Sequence, residues 1–156
     1  MSHNKQQRLK RIVDLRAKEV DRRVKELTQA RTRETRTEEE LAQARAERQR
    51  ELDARNERAR LGLPAGDWGH AENWLTGLAE KELAAQKQRE LAAREVVGAR
   101  GRVTEAMVER EKIERLVGRV AAEMRKDETR VERKSEDEHA SIHGAQQRAS
   151  ASKRNA

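Results

Sequence analysis

The apolar residues of this chain recur at the spacing of a helical seam along two long stretches. In the first, from Leu9 to Arg60, no Pro or Gly interrupts the sequence, and steps of four and three residues alternate between apolar positions. The clearest members of this run are Val13, Ala17, Val20, Val24 and Leu27. Such alternation is typical of a helix that packs one face against a partner helix. The pattern predicts a first helix over 9–60, preceded by a flexible N-terminus at 1–8. Across 31–40 the stripe weakens, so we expect loose packing there.

A break follows at 61–69. The sequence LGLPAGDWG contains the only Pro and three of the eight Gly residues of the chain. Both residue types interrupt helices, Pro by removing a donor and Gly by its backbone freedom. The composition therefore predicts a hairpin turn at 61–69, with Asp67 as a candidate cap for the next helix.

Beyond the turn a seven-residue repeat continues in one phase for about eight heptads. Its apolar members are Leu75, Leu78, Ala85, Ala92, Val96, Ala99, Val103, Ala106, Ile113, Val117, Val120, Met124 and Val131. Glu82, Arg89 and Arg110 interrupt the repeat, and we expect their stems to lie on the seam with their charges in water. The repeat predicts a second helix over 70–145 and leaves 146–156 as a polar, disordered tail.

Two helices joined by a short turn predict an all-α fold, a long two-helix antiparallel coiled-coil hairpin with an overhanging C-terminal helix. If the turn centres near residue 65, Leu27 lies near Val103. The second helix outlasts the first, so the segment from Met124 to Ala145 projects alone.

Composition narrows the class of function. The chain is 42% charged and carries a formal net charge of +7, with no Cys, Phe or Tyr and two Trp. No apolar run is long enough to span a membrane, and no signal-peptide core is present. His139 and His143 have the spacing of a two-histidine metal clamp, but no HExxH pattern or Cys accompanies them, so we expect no metal and no cofactor. A hairpin also lacks the concave pocket that catalysis requires, so we expect no enzyme and no catalytic residues.

Nucleic-acid binding is an alternative function that the net charge alone does not exclude. A phosphate-tracking surface needs bases segregated on one stripe or interleaved with aromatics. Here 29 acidic residues are interspersed with 36 basic ones. We therefore expect no nucleic acid as a partner and a salt-bridged helix exterior instead.

Three stretches resemble the FliJ family of the bacterial flagellar type III export apparatus. DLRAKEVDR from Asp14 to Arg22 is similar to the opening of the family's first helix. Trp68 and Trp74 at the start of the second helix look like the family's aromatic and aliphatic start. ETRVERKSEDEHA from Glu128 to Ala140 resembles a segment near the family's C-terminus. Their spacing agrees with the family over residues 12–142.

The resemblance implies a non-enzymatic central stalk for the hexameric export ATPase. Such a stalk would link the ATPase to the cytoplasmic domain of the export gate and escort export chaperones. It would be a cytoplasmic monomer, peripheral at the inner membrane, and would meet the membrane only indirectly through the export apparatus. If the binding residues of the family are transferred to the matching positions of this sequence, the contact with the export gate near the turn would use Ala44, Trp74 and Leu78.

The ATPase-ring contact would lie at the paired termini. Its residues would be Asp14, Leu15, Lys18, Glu19, Arg130, Lys134, Asp137 and Glu138. The chain departs from the family pattern at Glu47 and Glu51, where many relatives have aromatics, and at His139, a position often apolar in relatives. The sequence is compatible with two roles for the Trp residues: they could pack over the end of the hairpin, or they could contact a partner.

Two alternative functions are also considered, one in a different secretion system and one of a different functional class. The related YscO-type stalks of virulence secretion systems share the architecture. A generic structural scaffold would instead self-associate through the segment from Leu41 to Leu52 and through the projecting helix.

Overall fold

The computed structural model describes residues 2–62 and 68–155 and folds them into two long helices. Helix α1 spans Ser2–Arg60, 59 residues, and helix α2 spans Trp68–Arg154, 87 residues. No strand occurs in these two ranges. The all-α, two-helix prediction is confirmed. Of the predicted turn, Leu61 and Gly62 are described as a turn, whereas 63–67, with the candidate cap Asp67, lie outside the described residues.

Both helices extend beyond the predicted bounds. Helix α1 begins at Ser2 instead of residue 9, and α2 runs from Trp68 to Arg154 instead of 70–145. The added segments are rich in Gln, Lys, Arg and Ala, which have high helix propensity, and neither 2–8 nor 146–154 contains Pro or Gly. A polar composition prevents burial without preventing a helix, so the flexible N-terminus and disordered tail are replaced by exposed helical turns.

Gly62 ends α1. Its φ is +67°, the only positive φ among the described residues, and its N–H donates to the Ala59 carbonyl at 3.1 Å. A left-handed residue just after a helix lets its N–H reach back to one of the last carbonyls, and Gly adopts this conformation without a Cβ clash. The chain therefore leaves the helix axis at Gly62, within the predicted turn.

Residues 17–108 form one compact unit in which the two helices run antiparallel. Ion pairs between the helices set the register: Glu26 lies 4.0 Å from Arg102, Arg33 donates to Glu95 at 3.2 Å, and Lys81 donates to Glu47 at 2.9 Å. As residue numbers rise along α1 they fall along α2, as the sequence predicts. Leu27 packs against a cluster of Ala30, Val96 and Ala99, one turn from its predicted neighbour Val103.

The seam of this unit follows the heptad pattern closely on α2 and less closely on α1. Most predicted apolar positions of α2 here are buried: Leu75, Leu78, Ala92, Val96, Ala99, Val103 and Ala106. On α1, however, Val24 is 41% exposed and the neighbouring Arg23 is half-buried instead. Across the weak stripe at 31–40 only Glu34 and Thr37 reach partial burial, which agrees with loose packing there.

The residues that interrupt the repeat behave differently from one another. Arg89 is exposed, as expected, but the Glu82 side chain is only 20% exposed and accepts a hydrogen bond from Arg48 at 3.1 Å. Arg45 approaches the same carboxylate at 3.5 Å. The Arg110 Nε is buried without a hydrogen-bond partner in the described residues, although Glu114 Oε1 lies 3.4 Å away. The expectation that the charge stays in water is therefore wrong for Glu82, whereas the Arg110 side chain keeps 36% of its surface exposed.

The second compact unit combines residues up to 16 with those from 109 onward. Leu9 on α1 and Val120 on α2 are buried here, and the charge of Arg16 acts on Glu109 across the two helices. From Arg125 to Asn155 every residue except Gly144 is exposed. The predicted C-terminal overhang is therefore present, and it continues to the end of α2.

Candidate functional site

The predicted gate residues fall into one exposed and two buried side chains. Trp74 is 55% exposed, whereas Ala44 and Leu78 are 3% and 4% exposed because both lie in the seam between the helices. Counting from the Lys81–Glu47 pair, Leu78 lies level with Arg50, six residues from Ala44 along α1. That is about 9 Å along the helix axis. Only Trp74 therefore offers surface to a partner, and Ala44 does not face it.

The two Trp residues have separate environments. The Arg55 guanidinium of α1 lies 5.5 Å from the centroid of the Trp68 ring and also forms an ion pair with Glu72 of α2. A cation over an aromatic face is attracted to the ring, and one residue here joins both helices. Trp68 thus contributes to closing the hairpin end. Trp74 lies six residues further along α2 with its ring largely in solvent, beside Gly77, where no side chain fills the surface.

Glu47 and Glu51 of α1 are engaged in ion pairs. Glu47 accepts a hydrogen bond from Lys81 at 2.9 Å, and Glu51 accepts one from Arg58 at 3.0 Å. Glu47 therefore helps to fix the register of the hairpin. This part of α1 presents charge. Among the described residues near the turn, Leu61, Trp68 and Trp74 expose apolar surface.

The structure separates the predicted ring residues along the helices. Asp14 and Leu15 lie in the terminal unit, as do Arg130, Lys134, Asp137 and Glu138, whereas Lys18 and Glu19 belong to the unit of residues 17–108. Arg130, Lys134, Asp137 and Glu138 lie on the overhang of α2, whereas Asp14 and Leu15 lie on α1.

These side chains also differ in solvent exposure and in hydrogen bonding. Asp14, Lys18, Arg130, Lys134, Asp137 and Glu138 are exposed, and Leu15 is 63% exposed. Glu19 is half-buried and accepts hydrogen bonds from Arg22 at 2.9 Å and Arg23 at 3.0 Å. Glu19 would have to exchange these two bonds in order to bind a partner.

The charge network around Glu19 changes its titration. The hydrogen bond from Arg22 is the main reason that the pKa of Glu19 is lowered, with smaller contributions from the charges of Arg22 and Arg23. Arg23 also donates to Glu26 at 3.0 Å, and this bond raises the pKa of Arg23. In the terminal unit, Lys112 lowers the pKa of Glu109 in the same way, by a hydrogen bond of 2.9 Å.

The overhang has two faces of opposite charge. A stripe lined by Arg125, Lys126, Thr129, Arg130, Arg133, Lys134 and Asp137 forms one face. A groove of about 380 Å³ on another face is lined by Met124, Asp127, Glu128, Val131 and Glu132. Of the basic stripe, the sequence comparison singled out only Arg130, Lys134 and Asp137. The recurrence of adjacent bases at 125, 126, 130, 133 and 134 was the available signal, since residues four apart share a helix face.

Within 2–62 and 68–155 no group of three or more His, Cys, Asp or Glu side chains is arranged to hold a metal ion. Over the same ranges no stretch of helix is apolar and uncharged enough to cross a membrane. The basic stripe and the groove both lie along the overhang of α2 and are open to solvent.

A sequence model of the family described as "Flagellar FliJ protein" matches residues 5–149. No curated protein and no solved structure matches the chain. The family match covers nearly all of α1 and most of α2, including the overhang with its two charged faces.

Proposed function

Because the chain belongs to the FliJ family, whose members are components of the flagellar export apparatus, we propose that it acts as the central stalk of the hexameric export ATPase. In this role it links the ATPase to the cytoplasmic domain of the export gate and escorts export chaperones. It works as a monomer in the cytoplasm, at the inner-membrane export apparatus. The family match over residues 5–149 is the observation on which this proposal rests.

The geometry supports two separate binding surfaces. Near the turn, Trp74 exposes most of its ring while the seam beneath it is closed by Leu75 and Leu78. Trp is strongly enriched among residues that dominate binding energy at protein interfaces. In the terminal unit, the overhang exposes its charged side chains with no second helix covering them in the described residues. We assign the gate contact to Trp74 and the ring contact to the Arg130 and Lys134 side of the overhang.

Ala44 and Leu78 have a supporting role in this proposal. Both are almost fully buried in the seam, so they hold the first turns of α2 against α1 instead of touching a partner. Their effect on gate binding would be indirect, through the position of Trp74.

The gate contact is tested with Trp74→Ala. We expect the affinity for the purified gate domain to fall roughly thirty-fold, the effect of losing an interface anchor worth about 2 kcal/mol. Leu83→Ala is a matched control, because Leu83 is 54% exposed on the same helix. The control should bind like the parent chain, and circular dichroism should show equal helicity in both variants. Equal affinity of Trp74→Ala and the parent chain would refute the assignment of Trp74.

The ring contact is tested by reversing charge on the overhang. We expect Arg130→Glu combined with Lys134→Glu to weaken binding to the purified ATPase hexamer and to reduce any stimulation of ATP hydrolysis. Arg148→Glu with Lys153→Glu changes the same net charge on exposed residues of the same helix. A specific contact predicts loss in the first pair only, whereas equal loss in both pairs would indicate long-range attraction alone. A parent chain that neither binds the hexamer nor alters its activity would contradict the stalk proposal.

A further inference from the structure

The groove on the overhang lies on a part of α2 against which no second helix packs in the described residues. Met124 and Val131 occupy successive first positions of the heptad repeat, and Asp127 occupies the fourth position between them. Met124 is half-buried, whereas Val131 is 67% exposed. Val131 therefore presents apolar surface that the hairpin does not cover.

The charges around this groove are of one sign. Asp127, Glu128 and Glu132 line it together with the two apolar side chains, and no basic residue contributes to its lining. The basic residues of this segment lie on the stripe formed by Arg125, Lys126, Arg130, Arg133 and Lys134. The groove therefore combines an apolar centre with carboxylates around it.

The hairpin itself shows what kind of element fits such a surface. Between its two helices, several carboxylates are met by a base from the opposite helix, as in Glu95 with Arg33 and Glu47 with Lys81. Opposite charges flanking a helical seam select the partner and its register. A helix that continued this arrangement over the groove would bring apolar side chains to Met124 and Val131 and bases to Asp127, Glu128 and Glu132.

We propose that the acidic groove formed by Met124, Asp127, Glu128, Val131 and Glu132 is a docking site for a basic amphipathic helix of a partner protein. This binding surface is separate from the basic stripe assigned to the ATPase ring, and it rests on the geometry of the groove, not on the stalk role.

The experiment uses the full chain and two synthetic helical peptides. Both peptides carry Leu at the first and fourth heptad positions; one has Arg at the flanking positions and the other has Glu. We expect the Arg peptide to bind about ten-fold more tightly in fluorescence anisotropy, a difference of roughly 1.4 kcal/mol. The net charge of the whole chain, +7, favours the opposite order, so long-range attraction cannot produce this result.

Variants locate the binding to the groove. Val131→Ser should weaken Arg-peptide binding several-fold, and Glu128→Arg with Glu132→Arg should reverse the preference in favour of the Glu peptide. Arg133→Glu, on the basic stripe, is the matched control and should change the affinity by no more than about two-fold, the range expected of an exposed charge outside the contact. All these side chains are exposed, and circular dichroism should show unchanged helicity.

Three outcomes would overturn the proposal. The parent chain could prefer the Glu peptide, or Val131→Ser could leave Arg-peptide affinity unchanged, which would place the binding elsewhere. Sedimentation velocity of the chain alone could also reveal self-association that Val131→Ser abolishes, in which case the groove is covered by a second copy and not by a basic helix. Binding to the ATPase and the gate is measured separately, so failure here leaves the stalk proposal standing.

Discussion

At the scale of single residues, the charged side chains act mainly on one another. Glu19, Arg22, Arg23 and Glu26 are joined by hydrogen bonds of 2.9 to 3.0 Å on consecutive turns of α1. Pairs three and four residues apart on a helix stabilise it modestly, by about 0.2–0.5 kcal/mol each. Their larger consequence is for titration, because a carboxylate that accepts bonds from guanidinium groups resists protonation.

The lowered pKa of Glu19 gives a prediction for acid pH. Because its folded-state pKa lies below the unfolded value, the contribution of Glu19 to stability is present above the unfolded pKa and is lost as pH falls through the folded pKa. Carboxyl NMR titration should show the Glu19 midpoint rising in Arg22→Ala, since the Arg22 hydrogen bond is the main cause of the shift. Arg31→Ala, an exposed Arg on the same helix, should leave the midpoint unchanged. A midpoint that Arg22→Ala does not move would disprove this cause.

Glu82 gives a prediction for stability. Its carboxylate lies in the seam, while its partners Arg45 and Arg48 keep 57% and 43% of their side chains exposed. Glu82→Leu would add apolar contact at a heptad position and leave both Arg residues hydrated. We therefore expect denaturant unfolding to show a gain of about 1–2 kcal/mol. Glu80→Leu, at an exposed position, should stay within about 0.5 kcal/mol of the parent chain. A loss of stability in Glu82→Leu would mean that the ion pairs contribute more than the packing.

At the scale of the helix, length and uniform phase matter more than any one contact. Helix α2 keeps a single heptad phase past several Gly residues because those residues fall on its outer surface, where a missing side chain removes no seam contact. Gly101 and Gly118, for example, are exposed, and a Cβ at either position would meet no other group within 4 Å. These glycines lower helix propensity without altering the packing.

Two glycine substitutions should therefore have opposite effects on unfolding free energy. Gly101→Ala should stabilise the chain by about 0.8–1 kcal/mol, because Ala has the higher helix propensity and the space is open. Gly62→Ala should destabilise it by about 1 kcal/mol, because the φ of +67° at the end of α1 places a Cβ in the disfavoured left-handed region. Thermal unfolding followed by circular dichroism measures both. The same sign of change in both variants would contradict the assigned backbone roles.

At the scale of the whole molecule, the seam is largely satisfied within one chain. Leu41 and Ala44 are 4% and 3% exposed, so the segment that the scaffold hypothesis reserved for self-association already packs inside the hairpin. Leu52 is also half-buried. Little apolar surface of this segment remains to drive association with a second copy.

We therefore expect the chain to behave as a monomer of 18.0 kDa in sedimentation equilibrium over a wide concentration range. Leu41→Ser should destabilise the hairpin without changing the oligomeric state, because Leu41 is buried against the same chain. An apparent mass that rises with concentration in the parent chain and falls in Leu41→Ser would instead support the scaffold hypothesis.

Much of the fold was predictable because a heptad repeat constrains a helix at every turn. The repeat from Leu75 to Val120 placed the buried face of α2, and the Pro and Gly residues between 61 and 69 located the turn. The prediction was less accurate where the signal was only compositional. The polar segments 2–8 and 146–154 are helical, because low hydrophobicity excludes burial but says little about local backbone preference.

The candidate site was less predictable than the fold. The resemblance to the family assigns Ala44, Trp74 and Leu78 to the same contact, yet only Trp74 is exposed. The exposure of a side chain depends on whether it faces the other helix, and a sequence motif does not specify this. The contact between Arg55 and Trp68 was missed for the same reason, because it joins residues on two helices.

The sequence by itself determined two antiparallel helices, an approximate register and a C-terminal overhang, because heptad spacing and helix-breaking residues act locally. Only the tertiary structure decided that Trp68 lies under Arg55 while Trp74 remains exposed, and that the Glu82 side chain is only 20% exposed beside Arg45 and Arg48. These features depend on which side chains meet across the two helices. Such relations arise between distant parts of the chain, so local periodicity does not specify them.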